Sequence, residues 1–440
     1  MSQRLGAFRG SVLHFTGDPE QAADSGAAYE YFDDGVLVVR DGLIEMLGPA
    51  KPVLEQLGTD VLVTDYSGNL ILPGFVDSHV HYAQTDVIAS YGERLLDWLT
   101  KYSFPEEEHF ADLEHAREVA GVFINELLRN GTTTASVFCT VHPESVDAIF
   151  ESASARAMRL IAGKMLMDRN CPASLADSAR GGYDQSKELL ERWHGQGRLS
   201  YAITPRFAPT SSEEQLRLAG VLAQEYPDVY VQTHAAENHE EIAWVAALYP
   251  QSRSYIDVYD RFGLLRERSI FAHCLHLDER DWQRMGETGA AISFCPTSNL
   301  FLGSGLFDLG AAMRHRVRVG IGTDVAGGTS LSMLQTLNEA YKVVQMTGQT
   351  LSPFSAFYRA TLGGARSLYL DDRVGSFTRG KEADFVVLDT AATPLMARRA
   401  RSASDLGERL FMLMMLGDDR SIAATYLLGK AAYRRSAASG

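Results

Sequence analysis

The sequence has few cysteines, no long apolar run and no recognisable export signal. Its four cysteines, Cys139, Cys171, Cys274 and Cys295, are scattered over 440 residues without a CxxC pair, so neither a disulfide framework nor a thiolate zinc site is expected. No stretch offers about 20 consecutive apolar residues, which predicts no membrane span and no membrane partner. The first residues lack an apolar segment followed by a small-residue cleavage site, so no secretory signal is predicted. We therefore expect a cytoplasmic protein with reduced thiols.

Positive charge is also scarce. The 41 Lys and Arg residues are outnumbered by 56 Asp and Glu, giving a formal net charge of -15. An acidic chain repels phosphate backbones, so nucleic acid is not expected as a partner, although a nucleobase, which carries no phosphate, is not excluded. The hydrophobic fraction of 45% is ordinary for a globular protein with a substantial core.

Both ends of the chain have the pattern of short strands and turns. The stretch VLVVRDGLIEMLG (36–48) carries an Asp41-Gly42 pair between two apolar runs, which is a hairpin signal. Strand-like runs return in GKEADFVVLD (380–389) and IAATYLLGKAAYRR (422–435). Because chain termini often lie close together, we expect residues 1–71 and 376–440 to form one small β-sandwich domain.

The middle of the chain, residues 72–375, alternates apolar, strand-like runs with polar, helix-like segments. Strands are predicted at 72–80, 132–140, 158–167, 199–208, 229–236, 269–277, 290–296 and 318–326. Eight strands alternating with helices over about 300 residues is the pattern of an α/β protein with a (β/α)8 barrel of the TIM type. The active site of such a barrel lies at the carboxyl ends of its strands, so polar residues at those ends are the first candidates for chemistry.

The first barrel strand ends in an HxH motif, His79 and His81. Side chains two apart on a strand point to the same face, so both imidazoles can converge on one ion inside a barrel. An isolated HxH is weak evidence, because two polar residues at a strand end would look the same.

Further polar residues fall at the ends of later strands: His234 and Glu237 after strand five, His273 at strand six and Asp324 at strand eight. Neutral imidazole suits zinc, and a glutamate beside such an ion is a common general acid or base. Each residue also has a structural interpretation, since Glu237 could start a helix, His273 could lie in the core and Asp324 could cap a turn. The constellation at successive strand ends is more specific than its parts and predicts a metal site.

The strings LPGFVDSHVH, HAAEN, AHC and GTD resemble the amidohydrolase superfamily of metal-dependent hydrolases, over nearly the whole chain. The resemblance implies that His79, His81, His234 and Asp324 hold one metal ion. It further implies that His273 hydrogen-bonds the water on the metal or the attacked centre, and that Glu237 shuttles a proton. Glu237, Asp324 and His273 are thus the expected catalytic residues.

The resemblance also bears on the number and kind of metal ions. Some superfamily members hold two metals bridged by a carboxylated lysine on strand four, but strand four here has no lysine, and Lys164 lies on strand three. This favours the one-metal, deaminase-like branch. The implied ion is Zn2+, one per chain, with Fe2+ as the alternative because imidazole suits it too.

Longer segments, among them 79–107, 203–212 and 295–307, are similar to the branch of the superfamily that deaminates guanine. That likeness implies that Gln84 and Arg206 hydrogen-bond a purine and that Phe207 packs on its ring, beside His234, Glu237 and Asp324. It also implies a homodimer. The expected reaction is the zinc-dependent conversion of guanine to xanthine and ammonia.

Two alternatives stay open at this point. Oxidised guanine, methylthioadenosine, cytosine and triazines are handled by similar proteins on the same scaffold, and a fold alone does not fix the substrate. From a different class, a noncatalytic relative that serves as a scaffold would have no need for stoichiometric zinc, but every expected ligand and the acid are present here.

Overall fold

The computed structural model of the protein describes residues 5–22, 25–57, 61–91 and 94–436. The described residues form sixteen strands: β1 Leu5–Phe15, β2 Tyr29–Arg40, β3 Leu43–Pro49, β4 Val63–Pro73, β5 Phe75–His81, β6 Thr132–Phe138, β7 Arg159–Gly163, β8 Met165–Leu166, β9 Leu199–Pro205, β10 Tyr230–Ala235, β11 Ser269–His273, β12 Ala291–Phe294, β13 Arg318–Ile321, β14 Phe385–Leu388, β15 Ile422–Leu427 and β16 Lys430–Arg434.

The α-helices of the same residues are α1 Ala50–Leu57, α2 Leu95–Trp98, α3 Phe104–Glu108, α4 Leu113–Arg129, α5 Pro143–Arg156, α6 Ala179–Trp193, α7 Glu213–Glu225, α8 His239–Leu248, α9 Tyr255–Arg261, α10 Glu279–Thr288, α11 Pro296–Phe301, α12 Leu309–Arg314, α13 Met333–Met346, α14 Pro353–Ala360, α15 Leu362–Ser367, α16 Pro394–Ala400 and α17 Leu406–Leu416. Single helical turns lie at Ser25–Ala28, Tyr82–Val87, Leu99–Ser103, His109–Ala111, Ala173–Leu175, Ala208–Thr210 and Asp419–Ser421. None of the described helices is long and apolar enough to cross a membrane.

Eight parallel strands form the predicted barrel, in the order β5-β6-β7-β9-β10-β11-β12-β13, and β8 adds a short pairing to β9. Every residue of β5 is buried, as expected for a strand covered on both faces. The barrel closes at the carboxyl end, where the Asp324 N–H donates to the His79 carbonyl (2.9 Å) and the His81 N–H donates to the Val325 carbonyl (3.0 Å). The predicted fold class is confirmed.

Helix α4 shows how the barrel is covered. Its Asp112 cap accepts a hydrogen bond from the Glu114 N–H, satisfying one of the free donors of the first turn. Its buried residues recur at helical spacing and form one apolar face: Ala116, Val119, Ala120, Phe123, Ile124, Leu127 and Leu128. A helix of this pattern is stable only when that face packs against the sheet.

Strands from both ends of the chain form a second sheet, in the order β16-β15-β14-β4-β1-β2-β3. The β1–β4 pair is parallel and the other pairs are antiparallel. The sheet curls back on itself. An isolated bridge joins Leu43, in the edge strand β3, to Glu382, which lies just before β14. Phe8, Phe385 and Tyr426 pack against one another inside the curl. The expected β-domain from both termini is therefore present, whereas the domain boundaries at 71/72 and 375/376 stay a prediction.

The predicted hairpin lies between β2 and β3. Arg40 pairs with Leu43, and the two residues of the loop, Asp41 and Gly42, have φ values of 52° and 87°. A two-residue loop with positive φ at both positions matches the right-handed twist of the flanking strands, and the Asp-Gly pair tolerates it best.

Candidate active site

Five side chains predicted from the strand ends meet inside the carboxyl end of the barrel. His79 and His81 lie on β5, His234 on β10 and His273 on β11, and Asp324 follows β13. All but His234 are buried by residue exposure, and His234 is half-buried. Residues spread over almost 250 positions are thus brought together because parallel strands of a barrel end at one rim.

The spacing of these atoms fits ligands of one ion. The His81 Nε2 lies 3.2 Å from the His79 Nε2 and 3.1 Å from the His234 Nε2. The Asp324 Oδ1 lies 3.2 Å from the His79 Nε2 and 3.4 Å from the His81 Nε2. Atoms bonded to zinc at about 2.0–2.1 Å in a tetrahedron lie about 3.3 Å apart, so the donor set and its spacing fit such an ion.

The remaining ring nitrogens are held by neighbours. The His234 Nδ1 donates to the Arg206 carbonyl (2.6 Å), which leaves the Nε2 lone pair facing the cluster. The His273 Nδ1 lies 2.8 Å from the Asn299 Oδ1. Ligand atoms of His79, His234, His273 and Asp324 all lie within 4.8 Å of one another, so His273 too is within reach of an ion at this point.

Burial sets the protonation of the cluster. It lowers the pKa of His81 to about 4, and it lowers the pKa of His234 well below its usual value, aided by the charges of His79 and His81. Burial acts to raise the pKa of Asp324, but His79, His81 and His273 together hold that pKa well below its usual range. Neutral imidazoles and an ionised carboxylate are the forms that bind a metal.

Glu237 lies at the same rim, and its pKa is shifted in the opposite direction to that of Asp324. Burial, and then the charge of Asp324, raise the pKa of Glu237 to about 8. The Glu237 Oε1 accepts a hydrogen bond from the Ser304 hydroxyl (2.9 Å), and the Oε2 lies 3.4 Å from the His273 Nε2. Two neighbouring carboxyl groups with pKa values pushed apart are the arrangement that general acid–base catalysis uses.

The backbone at the rim is strained. Ala236, His273, Cys274 and Asp324 all have positive φ, between 51° and 70°, a region that costs a non-glycine residue about 1–3 kcal/mol. Such strain is typical of functional sites, where the backbone orients particular side chains. Ala236 is the one residue between β10 and Glu237, so the chain turns just before Glu237.

The glycine of the GTD motif makes room for the cluster. A Cβ on Gly322 would lie 2.9 Å from the His79 Cβ and 2.5 Å from the Ser293 Oγ, closer than atoms can approach. A side chain at this position would therefore displace His79 or β12.

Asp77, for which no role was predicted from the sequence, connects β5 to the residues just before Asp324. Its carboxylate accepts hydrogen bonds from the Thr323 N–H (3.1 Å), the Thr323 hydroxyl (2.5 Å) and the His79 N–H (3.2 Å). Asp77 thus fixes β5 to the residue before Asp324. The one signal in the sequence is its place two residues before His79, on the same face of β5.

A cavity opens next to the cluster and reaches the residues expected to bind substrate. It is lined by His81, Gln84, Leu95, Trp98, Leu99, Arg206, Phe207, His234, Glu237, His273, Leu302, Asp324 and Gly327. Gln84, Arg206 and Phe207 are thus brought to one wall, and Phe207 stands edge-on to Trp244 at 6.2 Å between ring centroids. Apolar walls with a few converging polar groups are typical of a small-molecule site.

Glu107 organises this wall and was missed in the sequence. It is buried and accepts hydrogen bonds from the Arg206 Nη1 (2.5 Å), the Gln84 Nε2 (3.0 Å) and the Ser103 hydroxyl (2.9 Å). Burial acts to raise the pKa of Glu107, but the charge and hydrogen bond of Arg206 and the hydrogen bonds of Gln84 and Ser103 together lower that pKa below its usual value. Three consecutive glutamates at 106–108 gave no sign that only the middle one turns inward.

The comparisons with known proteins agree with this geometry. The model of the amidohydrolase family matches residues 70–432. The chain belongs to the amidohydrolase family.

Within that family the chain is similar to Escherichia coli (strain K12) guanine deaminase, with 54% identity over 98% of each chain. The solved structure of E. coli guanine deaminase superposes with a TM-score of 0.96 at 54% identity, covering 98% of this chain and 100% of that one. A guanine deaminase from C. acetobutylicum with bound guanine in its active site superposes with a TM-score of 0.88 at 30% identity, covering 98% of this chain and 100% of that one.

This amidohydrolase is therefore a hydrolytic enzyme by family, with a His/His/His/Asp group that can hold a metal ion at the rim of its barrel. Of the expected ligands, His81, His234 and Asp324 line a single cavity together with Glu237, Gln84, Arg206 and Phe207, and His79 lies behind them, within 3.2 Å of His81 and Asp324.

Proposed function

We propose that this amidohydrolase deaminates guanine, giving xanthine and ammonia. The observation that carries the proposal is that one cavity is lined both by His81, His234, Asp324 and Glu237 and by Gln84 and Arg206. A relative with 54% identity over 98% of the chain is a guanine deaminase, and a more distant one binds guanine in its active site.

We assign His79, His81, His234 and Asp324 to the ion, and zinc as the ion. The ring centroids of these three histidines lie 4.8–5.1 Å apart, whereas His273 lies 5.6 Å and 5.8 Å from His234 and His79. We therefore assign His273 to the reacting centre rather than to the ion. A zinc ion held by these residues would lower the pKa of a bound water to about 7 and so supply a nucleophile at neutral pH.

The protein's own groups then move the protons. Asp324, ionised, accepts the proton of the attacking water as its oxygen bonds to C2 of guanine. Glu237, whose pKa of about 8 keeps it protonated at neutral pH, donates its proton to the adjacent ring nitrogen. The Glu237 carboxylate then takes the proton of the new C2 hydroxyl, the proton held by Asp324 passes to the amino group, and the C2–N bond breaks to release ammonia. His273, 3.4 Å from Glu237 and 3.7 Å from the Asp324 Oδ2, stabilises the charge that develops at C2.

The donors and acceptors of Arg206 and Gln84 that are not used within the protein suit a purine. Arg206 has five N–H donors, and contacts to Glu107, Ser103 and Met165 leave donors for a carbonyl oxygen and a ring nitrogen. The Gln84 Oε1 accepts one hydrogen bond, from the Ala326 N–H (3.3 Å), and keeps a second lone pair for a ring N–H. A site of this kind rejects analogues that leave its buried polar groups unpaired.

The direct test is to incubate the purified, zinc-loaded protein with guanine and follow xanthine and ammonia. We expect turnover that stops when a chelator strips the metal and returns with zinc. Cytosine, oxidised guanine, methylthioadenosine and a triazine serve as the comparison panel. Turnover of one of these compounds but not of guanine would show that guanine is not the substrate. Turnover by the metal-free protein would contradict the proposed mechanism.

The acid–base role is tested by Glu237→Gln, which keeps the shape of the side chain but cannot carry the proton. We expect turnover to fall by roughly 10²- to 10⁴-fold, with the metal content unchanged. Glu240→Gln is the matched control, because Glu240 pairs with Arg94 on the surface. Full activity in Glu237→Gln would show that another group transfers the proton.

The homodimer and the cytoplasmic location are proposed as well. The resemblance to the family supports the first, and four free cysteines, three of them buried, are in keeping with the second. Light scattering on the purified protein measures the oligomeric state, and a monomeric mass at working concentration would contradict the dimer.

A further inference from the structure

A second cluster of metal-ligand side chains lies outside the barrel rim. Glu106 is on α3, His109 begins the helical turn that follows, and His115 is in the first turn of α4. Ligand atoms of the three lie within 4.8 Å of one another. Neither the family relationship nor the proposed reaction uses any of these residues.

The distances within this cluster match ligand spacing better than hydrogen bonding. The Glu106 Oε2 lies 3.6 Å from the His109 Nδ1, and the Glu106 Oε1 lies 3.7 Å from the His115 Nε2. Both are too long for hydrogen bonds. Two ligand atoms bonded to one zinc ion at about 2.0–2.2 Å lie about 3.4 Å apart at the tetrahedral angle and farther apart at wider angles.

His115 supplies an independent observation. Its Nε2 is buried and receives no hydrogen bond from any of the described residues. The ring packs edge-on against Phe110, with centroids 4.9 Å apart, which fixes its orientation toward Glu106. Buried polar atoms almost always have a partner, so a nitrogen that faces a carboxylate without bonding to it points to a ligand between them.

We propose that Glu106, His109 and His115 bind a divalent transition-metal ion, a second ion that is separate from the one at the barrel rim. Two imidazoles and one carboxylate suit zinc, cobalt or nickel, whereas magnesium and calcium prefer oxygen ligands. The His109 side chain is 63% exposed, so the ion has direct access from solvent and keeps water in its remaining positions.

The place of this site gives it a structural consequence. Its ligands come from three successive elements, so an ion joins α3 to α4 across the turn between them. Glu106 is the neighbour of Glu107, which turns the other way and holds Arg206 and Gln84 at the cavity. An ion at the outer site therefore braces the helix that carries the inner clamp.

The test measures zinc content directly and needs no turnover. The wild-type protein is equilibrated with zinc buffers of rising free concentration and its bound zinc is measured by elemental analysis, with cobalt absorption as a second readout. We expect a second equivalent at higher free zinc than the first. It should be lost in His109→Ala and in Glu106→Gln, while the first equivalent stays.

His315→Ala is the matched control, because His315 pairs with a single carboxylate, Glu279, at 3.0 Å. It should keep both equivalents. His109→Ala removes a mostly exposed side chain and is expected to fold normally. A wild type that takes up only one equivalent over the whole range would overturn the proposal, as would a second equivalent that survives in both site variants. Either result leaves the guanine assay unaffected, so the two proposals fail separately.

Discussion

At the scale of the residue, Glu107 decides how the substrate wall of the cavity is ordered. It is the buried anion that balances Arg206, and it also receives the Gln84 amide, so it determines which of their hydrogen-bonding groups remain for a ligand. The Arg206 guanidinium lies over the Phe104 ring, 5.0 Å from its centroid, which holds the pair against α3. Glu107 acts through these neighbours and is a positioning residue.

Glu107→Gln is therefore expected to weaken guanine binding more than it slows the chemical step. Losing one charged partner of a buried hydrogen-bond network costs about 1–3 kcal/mol, so KM should rise roughly 10- to 100-fold with kcat changed much less. Steady-state kinetics measure the split, and metal content should not change. Glu108→Gln, on the exposed side of the same helix, is the control. An unchanged KM would show that Arg206 and Gln84 hold their places without Glu107.

At the scale of the element, a buried ion-pair network joins the barrel to the terminal sheet. Arg159, the first residue of β7, pairs with Glu382. Arg198, which immediately precedes β9, pairs with both Glu382 and Asp384. Asp384 also accepts a hydrogen bond from the Leu428 N–H (2.9 Å) in the turn between β15 and β16. These carboxylates lie beside β14, so they fix the two sheets to each other at the amino ends of the barrel strands.

Removing one partner of this network should be costly, because it leaves a buried charge without compensation. We expect Asp384→Ala to lower the free energy of unfolding by about 3–5 kcal/mol, measured by denaturant unfolding. Asp34→Ala removes an exposed pair with Arg9 and should cost less than about 1 kcal/mol. Equal losses in the two variants would contradict the structural role given to Asp384.

At the scale of the whole molecule, the metal-type cluster joins the first and the last strand of the barrel. β5 supplies His79 and His81, and Asp324 follows β13, the strand that closes the barrel beside β5. An ion that binds only the folded arrangement stabilises the entire fold by mass action.

Metal removal should therefore lower stability as well as activity. We expect the chelated protein to unfold at a lower temperature and added zinc to restore it, since a ligand at 100 times its Kd contributes about 2.7 kcal/mol. Calorimetry of the stripped and reloaded protein measures the difference, with elemental analysis to confirm the metal content. An unchanged Tm after complete loss of zinc would show that the site forms without contribution from the ion.

Much of this molecule is determined by the sequence through local rules. The alternation of buried strands and amphipathic helices predicts the barrel, because it depends on periodicity. The Asp41-Gly42 pair predicts the β2–β3 hairpin of the terminal sheet, because a tight turn depends on the backbone preferences of neighbouring residues. The strand-end positions of His79, His81, His234, His273 and Asp324 predict their convergence, because a barrel brings all its carboxyl ends to one rim.

Only the tertiary structure decided the partners of those residues. That Glu107 rather than Glu106 or Glu108 faces Arg206, that Ser304 holds Glu237, and that Asp77 ties β5 to Thr323 depend on contacts between residues up to 246 positions apart. Such contacts have no local signature: Glu106 and Glu108 are of the same residue type as Glu107, yet only Glu107 is buried at the cavity. They arise because packing fixes the distance and orientation of side chains that the chain itself leaves free.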